Sequence, residues 1–286
     1  MNTLLGFPDG GVTTSFGKLL RRWRDARGMS QLTLATEAGI STRHLSFLET
    51  SRAQPSREMV QLLAGMLDVP LGDRNALLVS AGYAPAYGER PLSAPELKPV
   101  RRALQFTLRQ QEPFPALVVD GEWNIVMKNE GAHRVFELFS QPDGDDDCVI
   151  GGQVNVMRTV FHPNGLRRYI VNWEELAGCL VNSLHRQVAE TGSGAMTRLR
   201  DELLAYPGVP SRWSVPDPGV AMPPLVSMHL RKDDLSLTFF SMITTLGTPR
   251  DVTLQQLKIE CFFPADVVTE QTARHLASAS PQPVAV

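Results

Sequence analysis

The chain has 286 residues, of which 43% are hydrophobic and 20% are charged, and its net charge is −2. This is the composition of a globular protein with a real core, and the length predicts two domains because one domain usually has about 100–200 residues. No run approaches the ~18 apolar residues of a membrane span, and the first residues lack a basic stretch followed by an apolar one, so the sequence predicts a soluble, cytoplasmic protein. Cys148, Cys179 and Cys261 are widely spaced without a CxxC pair, which argues against a disulfide framework or a zinc site.

Positive charge is concentrated near the N-terminus. Residues 15–57 contain eight Lys and Arg but three Asp and Glu, a local charge of +5, so the remainder carries −7. A basic module on an acidic body suits a domain that faces phosphates. A helix with a solvated basic face is the alternative explanation.

A helix-turn-helix pattern lies within this basic region. Counting from Gln31, the small Ala35 stands at the fifth place, Gly39 at the ninth, and apolar residues at the tenth, fifteenth and eighteenth. The small residue lets two helices cross at a steep angle, and the glycine takes the left-handed backbone that a short turn requires. Ser30 and Ser41 stand where the second and third helices need N-caps. The pattern predicts a DNA-binding helix-turn-helix, with a helical hairpin that has no DNA role as the alternative.

Flanking segments complete a domain of five short helices. FGKLLRRWRDARG predicts the first helix, and PSREMVQLLAGMLDVP and DRNALLVSAGY predict the fourth and fifth. Five helices with the DNA reader in the middle resemble the XRE-type, phage-repressor-like family. The predicted DNA-binding residues are Gln31, Ser41, Thr42, Arg43, His44, Ser46, Phe47 and Arg52.

The resemblance implies a role for most of these side chains. Thr42, Arg43 and Ser46 would face base edges, and Arg43 would read guanine through its paired donors. Gln31 and Arg52 would hold phosphates, with Gln31 also able to support base contacts. Phe47 departs from the polar residue of many phage repressors and would touch a thymine methyl group or pack, and His44 would contact the DNA backbone or stay solvated.

A proline-rich linker precedes the second body of the chain. Pro85, Pro91, Pro95 and Pro99 within fifteen residues predict a semi-stiff connector. Beyond it, VRRALQFTLRQQE, NWEELAGCLVNSLHRQVAE and MTRLRDELLAY predict helices. ALVVD, WNIVMKN, PLVSMHL, LSLTFFSMITTLGT and VTLQQLKIECFF predict five strands. Five strands with helices packed on one side make an α+β domain.

The opening of this second body resembles a PAS-like sensor domain, because VVDGEWNIVMKNEGA reads as strand, tight turn and strand, with Asn129 capping the next helix. The whole combination resembles the MmyB-like transcriptional regulators, an XRE-type helix-turn-helix joined to a PAS-like ligand-binding domain. PSREMVQLLAGMLDVPLGDRNALLVSAGYAP, RRYIVNWEELA and ITTLGTPRDVTLQQLKIECFFPAD carry that resemblance with the PAS-like opening. It implies a dimeric cytoplasmic regulator whose second domain holds a small apolar, fatty-acid-like molecule.

The predicted fold is therefore an all-α five-helix domain followed by an α+β PAS-like domain with a five-stranded antiparallel sheet. The predicted boundaries are 1–83 for the helix-turn-helix domain, 84–99 for the linker, 100–276 for the ligand-binding and dimerisation domain, and 277–286 for a disordered tail. The candidate ligand-binding residues are Phe136, Phe139, Met157, Arg168, Trp173, Phe239 and Met242. Core packing is the alternative for the apolar ones, and a solvated position beside a helix start is the alternative for Arg168.

No catalytic or metal-binding pattern stands out. PDGDDDC lacks the spacing and closing glutamate of a calcium loop, and no serine elbow, P-loop or dinucleotide fingerprint is present in the sequence. We therefore predict no enzymatic activity, no cofactor and no metal. The predicted function is a dimeric regulator that binds a palindromic operator in double-stranded DNA and senses a small apolar ligand, without a membrane partner. The alternative is a DNA-binding regulator whose C-terminal domain only dimerises or docks a protein partner.

Overall fold

The computed structural model describes residues 14–139, 149–150, 152–216 and 225–279, and the chain divides into two compact units. The first unit comprises Met1–Arg90 and Pro249–Gln255, and the second comprises Pro91–Thr248 and Gln256–Val286. Within the described ranges, no helix is both long and apolar enough to cross a lipid bilayer. The acidic segment PDGDDDC (residues 142–148) and residues 280–286 of the predicted tail lie outside the described residues.

The first unit contains the five predicted helices. They are α1 (Phe16–Ala26), α2 (Gln31–Glu37), α3 (Thr42–Glu49), α4 (Arg57–Met66) and α5 (Leu71–Ser80). Serines cap three of them: the hydroxyl oxygens of Ser30, Ser41 and Ser56 accept the backbone N–H three residues on at 3.0–3.2 Å. Gly39 has φ +66°, so the turn between α2 and α3 uses the left-handed backbone that its sequence predicts. Leu20, Leu34, Leu45 and Leu48 form the fully buried centre of this unit.

A glycine fixes the close approach of α1 to α3. A Cβ at Gly17 would overlap with the carbonyl oxygens of Leu48 and Glu49 at the end of α3. Only glycine therefore lets the two backbones pack at this separation, and α1 supports the helix-turn-helix from behind.

The second unit has an α+β architecture. Its helices are α6 (Lys98–Gln110), α7 (Glu130–Phe139), α8 (Val156–Phe161), α9 (Trp173–Thr191), α10 (Gly194–Ala205) and α12 (Val267–Ala279). Its strands are β1 (Ala116–Val119), β2 (Ile125–Lys128), β3 (Val149–Ile150), β4 (Gln153–Val154), β5 (Ser227–Lys232), β6 (Leu235–Thr245) and β7 (Lys258–Pro264). The short helix α11 (Val252–Gln256), of which residues 252–255 belong to the first unit, precedes β7. Helix α12 extends to Ala279, three residues into the predicted tail.

Five strands form one antiparallel sheet in the order β2-β1-β7-β6-β5, and β3 pairs with β4 separately. Along each strand every second side chain points to the same face of the sheet. On one face, Leu117 of β1, Leu230 of β5 and Phe239 of β6 join the main hydrophobic cluster with α7–α10. The predicted fold class is confirmed. The prediction that helices cover one side only is wrong, because all four residues of β1 are buried and α6 also packs against this strand.

The prediction of a strand beginning at Val252 is also wrong. Residues 252–256 form α11, and β7 begins at Lys258. The Oδ1 atom of Asp251 accepts the backbone N–H of Thr253 at 3.0 Å, so this aspartate acts as an N-cap. The β-branched residues suggested a strand, but the capping aspartate before them favours a helix.

Candidate DNA-binding surface and ligand cavity

Helix α3 presents a polar surface away from the core of the first unit. Leu45 and Leu48 point inward and are fully buried, which leaves Arg43 exposed and its neighbours partly exposed. The guanidinium of Arg43 lies 5.3 Å from the centre of the Phe47 ring, a cation–π distance. Phe47 therefore packs beneath Arg43, which helps to orient the guanidinium while its N–H donors stay available.

Gln31, at the start of α2, is held by an ion pair inside the unit. Its amide nitrogen donates to Glu49 Oε2 at 2.8 Å, and Arg24 donates to both carboxylate oxygens of Glu49 at 2.6 and 3.1 Å. The side chains of Arg24 and Glu49 are 9% and 2% exposed, so the pair is buried. Because Glu49 accepts one of the two N–H groups of the Gln31 amide, the second N–H and the amide oxygen are left to meet a partner outside the unit.

The remaining predicted DNA-binding residues surround α3. The hydroxyl oxygen of Ser41 is occupied as an acceptor by the cap of α3, which leaves its proton free to be donated. Thr42, His44 and Ser46 are partly exposed on the helix. Arg52 is exposed in the turn after α3, and its backbone N–H donates to Phe47 O at 2.8 Å, which fixes the turn. The structure thus brings the predicted residues together at and around one helix.

An apolar cavity of about 270 Å³ lies inside the second unit, between the sheet and helices α7, α8 and α9. Its lining residues are Pro115, Leu117, Trp123, Ala132, Val135, Phe136, Val156, Met157, Thr159, Val160, Leu166, Leu176, Cys179, Leu180, Ser183, Arg186, Val226, Met228, Phe239, Ser241, Ile243, Glu260 and Phe262. An adjoining cavity of about 390 Å³ lies against β2 and shares Phe136, Thr159 and Leu166 with it. Cavities of this size and character accommodate small, mainly apolar molecules.

The predicted ligand-binding residues fall into two groups. Phe136, Met157 and Phe239 line the cavity, and Phe139 lines the adjoining one. Trp173, Arg168 and Met242 line neither of the two cavities.

Trp173, Arg168 and Met242 make contacts outside the cavity or point away from it. Trp173 is a core residue whose indole N–H donates to Val160 O at 3.0 Å. Arg168 is exposed and donates to Pro163 O and Asn164 Oδ1. Met242 is 55% exposed, because strand alternation turns it away from Ser241 and Ile243.

Two polar groups of the cavity wall were not among the predicted residues. Glu260, on β7, is 8% exposed, and Trp123, in the turn between β1 and β2, is 7% exposed. Neither Glu260 Oε2 nor Trp123 Nε1 has a hydrogen-bond partner among the described residues. Burial raises the pKa of Glu260, although Ser241 and Lys258 oppose that shift. The sequence does contain a signal for Glu260. It lies two residues before Phe262 on β7, so both side chains are on the sheet face that lines the cavity.

Two family models match separate parts of the chain. The family model described as the MmyB-like transcription regulator ligand binding domain matches residues 100–276, and a helix-turn-helix model matches residues 20–73. A comparison with curated proteins finds no match.

One solved structure, described as an RNA-binding light-oxygen-voltage receptor, is 12% identical with a TM-score of 0.26. The match covers 92% of this chain but 63% of that chain, so this chain spans less than two thirds of its length. A TM-score this low supports no conclusion about fold or function.

Proposed function

Because the chain belongs to the family of transcription regulators with an MmyB-like ligand-binding domain, we propose that it is a ligand-responsive regulator that binds a palindromic DNA operator as a homodimer. Its two family models already make it a DNA-binding transcription regulator. The observation that carries the finer proposal is the presence, in one chain, of a polar, partly exposed α3 and an apolar cavity. The regulator acts in the cytoplasm, where its DNA is, and catalyses no reaction.

On DNA, α3 enters the major groove of each half-site. Arg43 donates to guanine, while Thr42 and Ser46 face neighbouring base edges. Arg52 and Gln31 contact phosphates, which fix the register of the helix but carry no sequence information themselves. In a two-fold symmetric dimer the two α3 helices read half-sites about one DNA turn apart, roughly 34 Å.

In the second unit, a small apolar, fatty-acid-like molecule occupies the cavity. Burial of its apolar surface against Met157, Phe136 and Phe239 supplies the favourable free energy. The ligand regulates DNA binding by favouring one of two arrangements of the dimer, and it can shift that equilibrium only by its difference in affinity for the two. The existence of the cavity favours this function over a C-terminal unit that only dimerises or docks a protein partner.

Two measurements on the full chain test the proposal. Selection from a random DNA library should recover a palindromic sequence that the protein binds as a dimer, with stoichiometry measured by light scattering. Extraction and mass spectrometry of the purified protein should identify a bound apolar molecule. Recovery of a non-palindromic site bound by a monomer would contradict the dimer. A chain that binds no apolar molecule, co-purified or added, would favour the alternative of dimerisation or partner docking alone.

A further inference from the structure

The residues that line the apolar cavity of the second unit differ in exposure, and this difference marks where the cavity meets solvent. Leu117, Met157 and Phe239 are at most 2% exposed and form its closed part. Among the described lining residues, Arg186 and Ile243 are the exposed ones. The cavity is therefore apolar where it is closed, and a cationic side chain stands where it opens.

Helix α9 places Arg186 on its cavity side. The residues of α9 that line the cavity are Leu176, Cys179, Leu180, Ser183 and Arg186. They recur at intervals of three and four positions, so they share one face of the helix. Because side chains on a helix tilt toward its N-terminus, Arg186 leaves the backbone in the direction of Ser183, one turn earlier.

Ser183 and Arg186 have donor groups that the protein does not use. Neither side chain has a hydrogen bond or an ion pair with any residue that the structure describes. The cation of the adjoining cavity, Lys128, is placed differently, since its ammonium nitrogen lies 5.5 Å from the centre of the Phe136 ring. Within the described lining of the apolar cavity, the available positive charge is therefore that of Arg186.

We propose that Arg186 and Ser183 bind the carboxylate head group of a single-chain ligand whose apolar chain fills the closed part of the cavity. The proposal deepens the function proposed above, on which it rests, by naming the residues that select the head group. The planar guanidinium matches the two oxygens of a carboxylate, and the Ser183 hydroxyl supplies one further donor. A phosphate monoester carries roughly two negative charges, which the single charge of Arg186 would leave partly unbalanced.

Glu260 also lines the cavity, and an ionised carboxylate there would repel an anionic ligand. Its side chain is nevertheless buried, and burial raises its pKa, which favours the uncharged form. Solvent at the open end of the cavity further weakens any repulsion of a head group beside Arg186. The acidic residue of the wall is therefore compatible with a carboxylate at the opening.

The cavity volume limits the size of the buried part of the ligand. At about 270 Å³ the cavity is larger than the ~150 Å³ apolar cavity that holds benzene, so it suits a chain of roughly ten non-hydrogen atoms. Octanoate, 1-octanol and octylamine have chains within this limit and differ from one another in the head group alone. A comparison of the three therefore isolates the contribution of the head group.

Isothermal titration calorimetry of the delipidated full chain with these three probes tests the assignment. Arg186→Gln should weaken octanoate by about threefold to tenfold, a modest effect because solvent screens an exposed ion pair. Arg186→Glu should weaken octanoate by at least about tenfold and bind octylamine more tightly than the wild type does, because it reverses the charge at the opening. Ser183→Ala should weaken octanoate by about threefold through the loss of one hydrogen bond. Binding of 1-octanol should stay within about twofold of the wild type in all three variants, since an uncharged probe depends on the apolar wall, and its retention shows that the cavity is intact.

The control is Arg198→Glu, which makes the same change in net charge at an exposed position of α10 that lines neither cavity. It should leave all three affinities within about twofold of the wild type, because salt screens distant charges. Unchanged octanoate affinity in Arg186→Glu would overturn the head-group assignment while leaving ligand binding intact. A loss of octanoate affinity in Lys128→Glu that Arg186→Glu does not reproduce would also overturn it, because the head group would then lie in the adjoining cavity. If none of the three probes binds the folded wild type, the proposed ligand-binding function fails together with the head-group assignment.

Discussion

Removing Glu49 should destabilise the first unit strongly, because its carboxylate accepts three hydrogen bonds inside the protein. Arg24 donates two of them at 2.6 and 3.1 Å, and Gln31 donates the third at 2.8 Å. With Glu49→Leu, the guanidinium of Arg24 stays buried with the carbonyl of Met29 and the exposed carboxylate of Asp25 as its partners. Loss of one member of a buried ion pair typically costs about 3–5 kcal/mol. That is a large part of the roughly 5–15 kcal/mol that stabilises a domain.

The double variant Arg24→Met, Glu49→Leu should recover most of this loss, because apolar residues often replace a complete buried pair without penalty. Hydrogen exchange of α1 and α3, followed by mass spectrometry in the full chain, measures the opening free energy of this unit. Exchange limited by unit opening should be about 100-fold to a few thousandfold faster in Glu49→Leu, since each 1.4 kcal/mol is a factor of about ten. Glu49→Gln, the milder variant, should lie between it and the wild type.

The ion pair has a second role, since Glu49 also holds the side chain of Gln31 in place. The DNA affinity of the double variant tests this role. Although its stability returns, Gln31 has lost its anchor, so its affinity for the selected operator should stay below that of the wild type. If the exchange rate of Glu49→Leu were within about threefold of the wild-type rate, the reasoning on stability would be refuted. Such a rate would mean that the ion pair contributes less than about 1 kcal/mol. Full operator affinity in the double variant would refute the positioning of Gln31.

Four further substitutions have expected outcomes that can be measured. Gly17→Ala should destabilise the first unit by about 1–3 kcal/mol, because the added Cβ would overlap with the backbone at the end of α3. The same hydrogen-exchange experiment measures this effect. An unchanged exchange rate would show that α1 and α3 are not packed this closely. Arg43→Ala should weaken operator binding by about 1–3 kcal/mol and relax sequence preference, whereas Arg52→Ala should weaken all sequences alike and flatten the salt dependence. Gel-shift titrations at several salt concentrations would contradict these roles if Arg52→Ala changed sequence preference instead. Because burial raises the pKa of Glu260, its contribution to stability is full below the ordinary glutamate pKa of 4.5 and is lost as the pH rises through the folded-state value. Glu260→Gln should therefore make the unfolding free energy of the ligand-free protein fall less with rising pH, and parallel pH profiles would argue against a titrating Glu260.

The sequence predicted the features that depend on local spacing. The helix-turn-helix followed from Gln31, Ala35 and Gly39, because capping and a left-handed turn involve residues a few positions apart. The strands β1, β2 and β6 followed from alternation and composition, and alternation already separated Phe239 from Met242. Alternation did not show which of these two side chains points into the cavity.

Features that depend on contacts between distant residues were not predictable in this way. Arg24 and Glu49 are 25 positions apart, so nothing in the sequence indicated that they pair. In the sequence they contributed only to the net charge of the basic region. No periodicity reveals that Glu260 Oε2 is buried without a hydrogen-bond partner among the described residues. Helix α11 was missed for a local reason, since β-branched residues outweighed the cap supplied by Asp251.

The most direct test of the proposed function is the operator affinity of the full chain with its cavity empty and filled. Fluorescence anisotropy with the selected operator would be measured on delipidated protein, alone and with a saturating concentration of whichever ligand calorimetry shows to bind. A ligand-responsive regulator should change its operator affinity by about 5-fold to 150-fold, the usual range of coupling between two sites. An affinity that stays the same within twofold while calorimetry shows the cavity to be occupied would contradict the account.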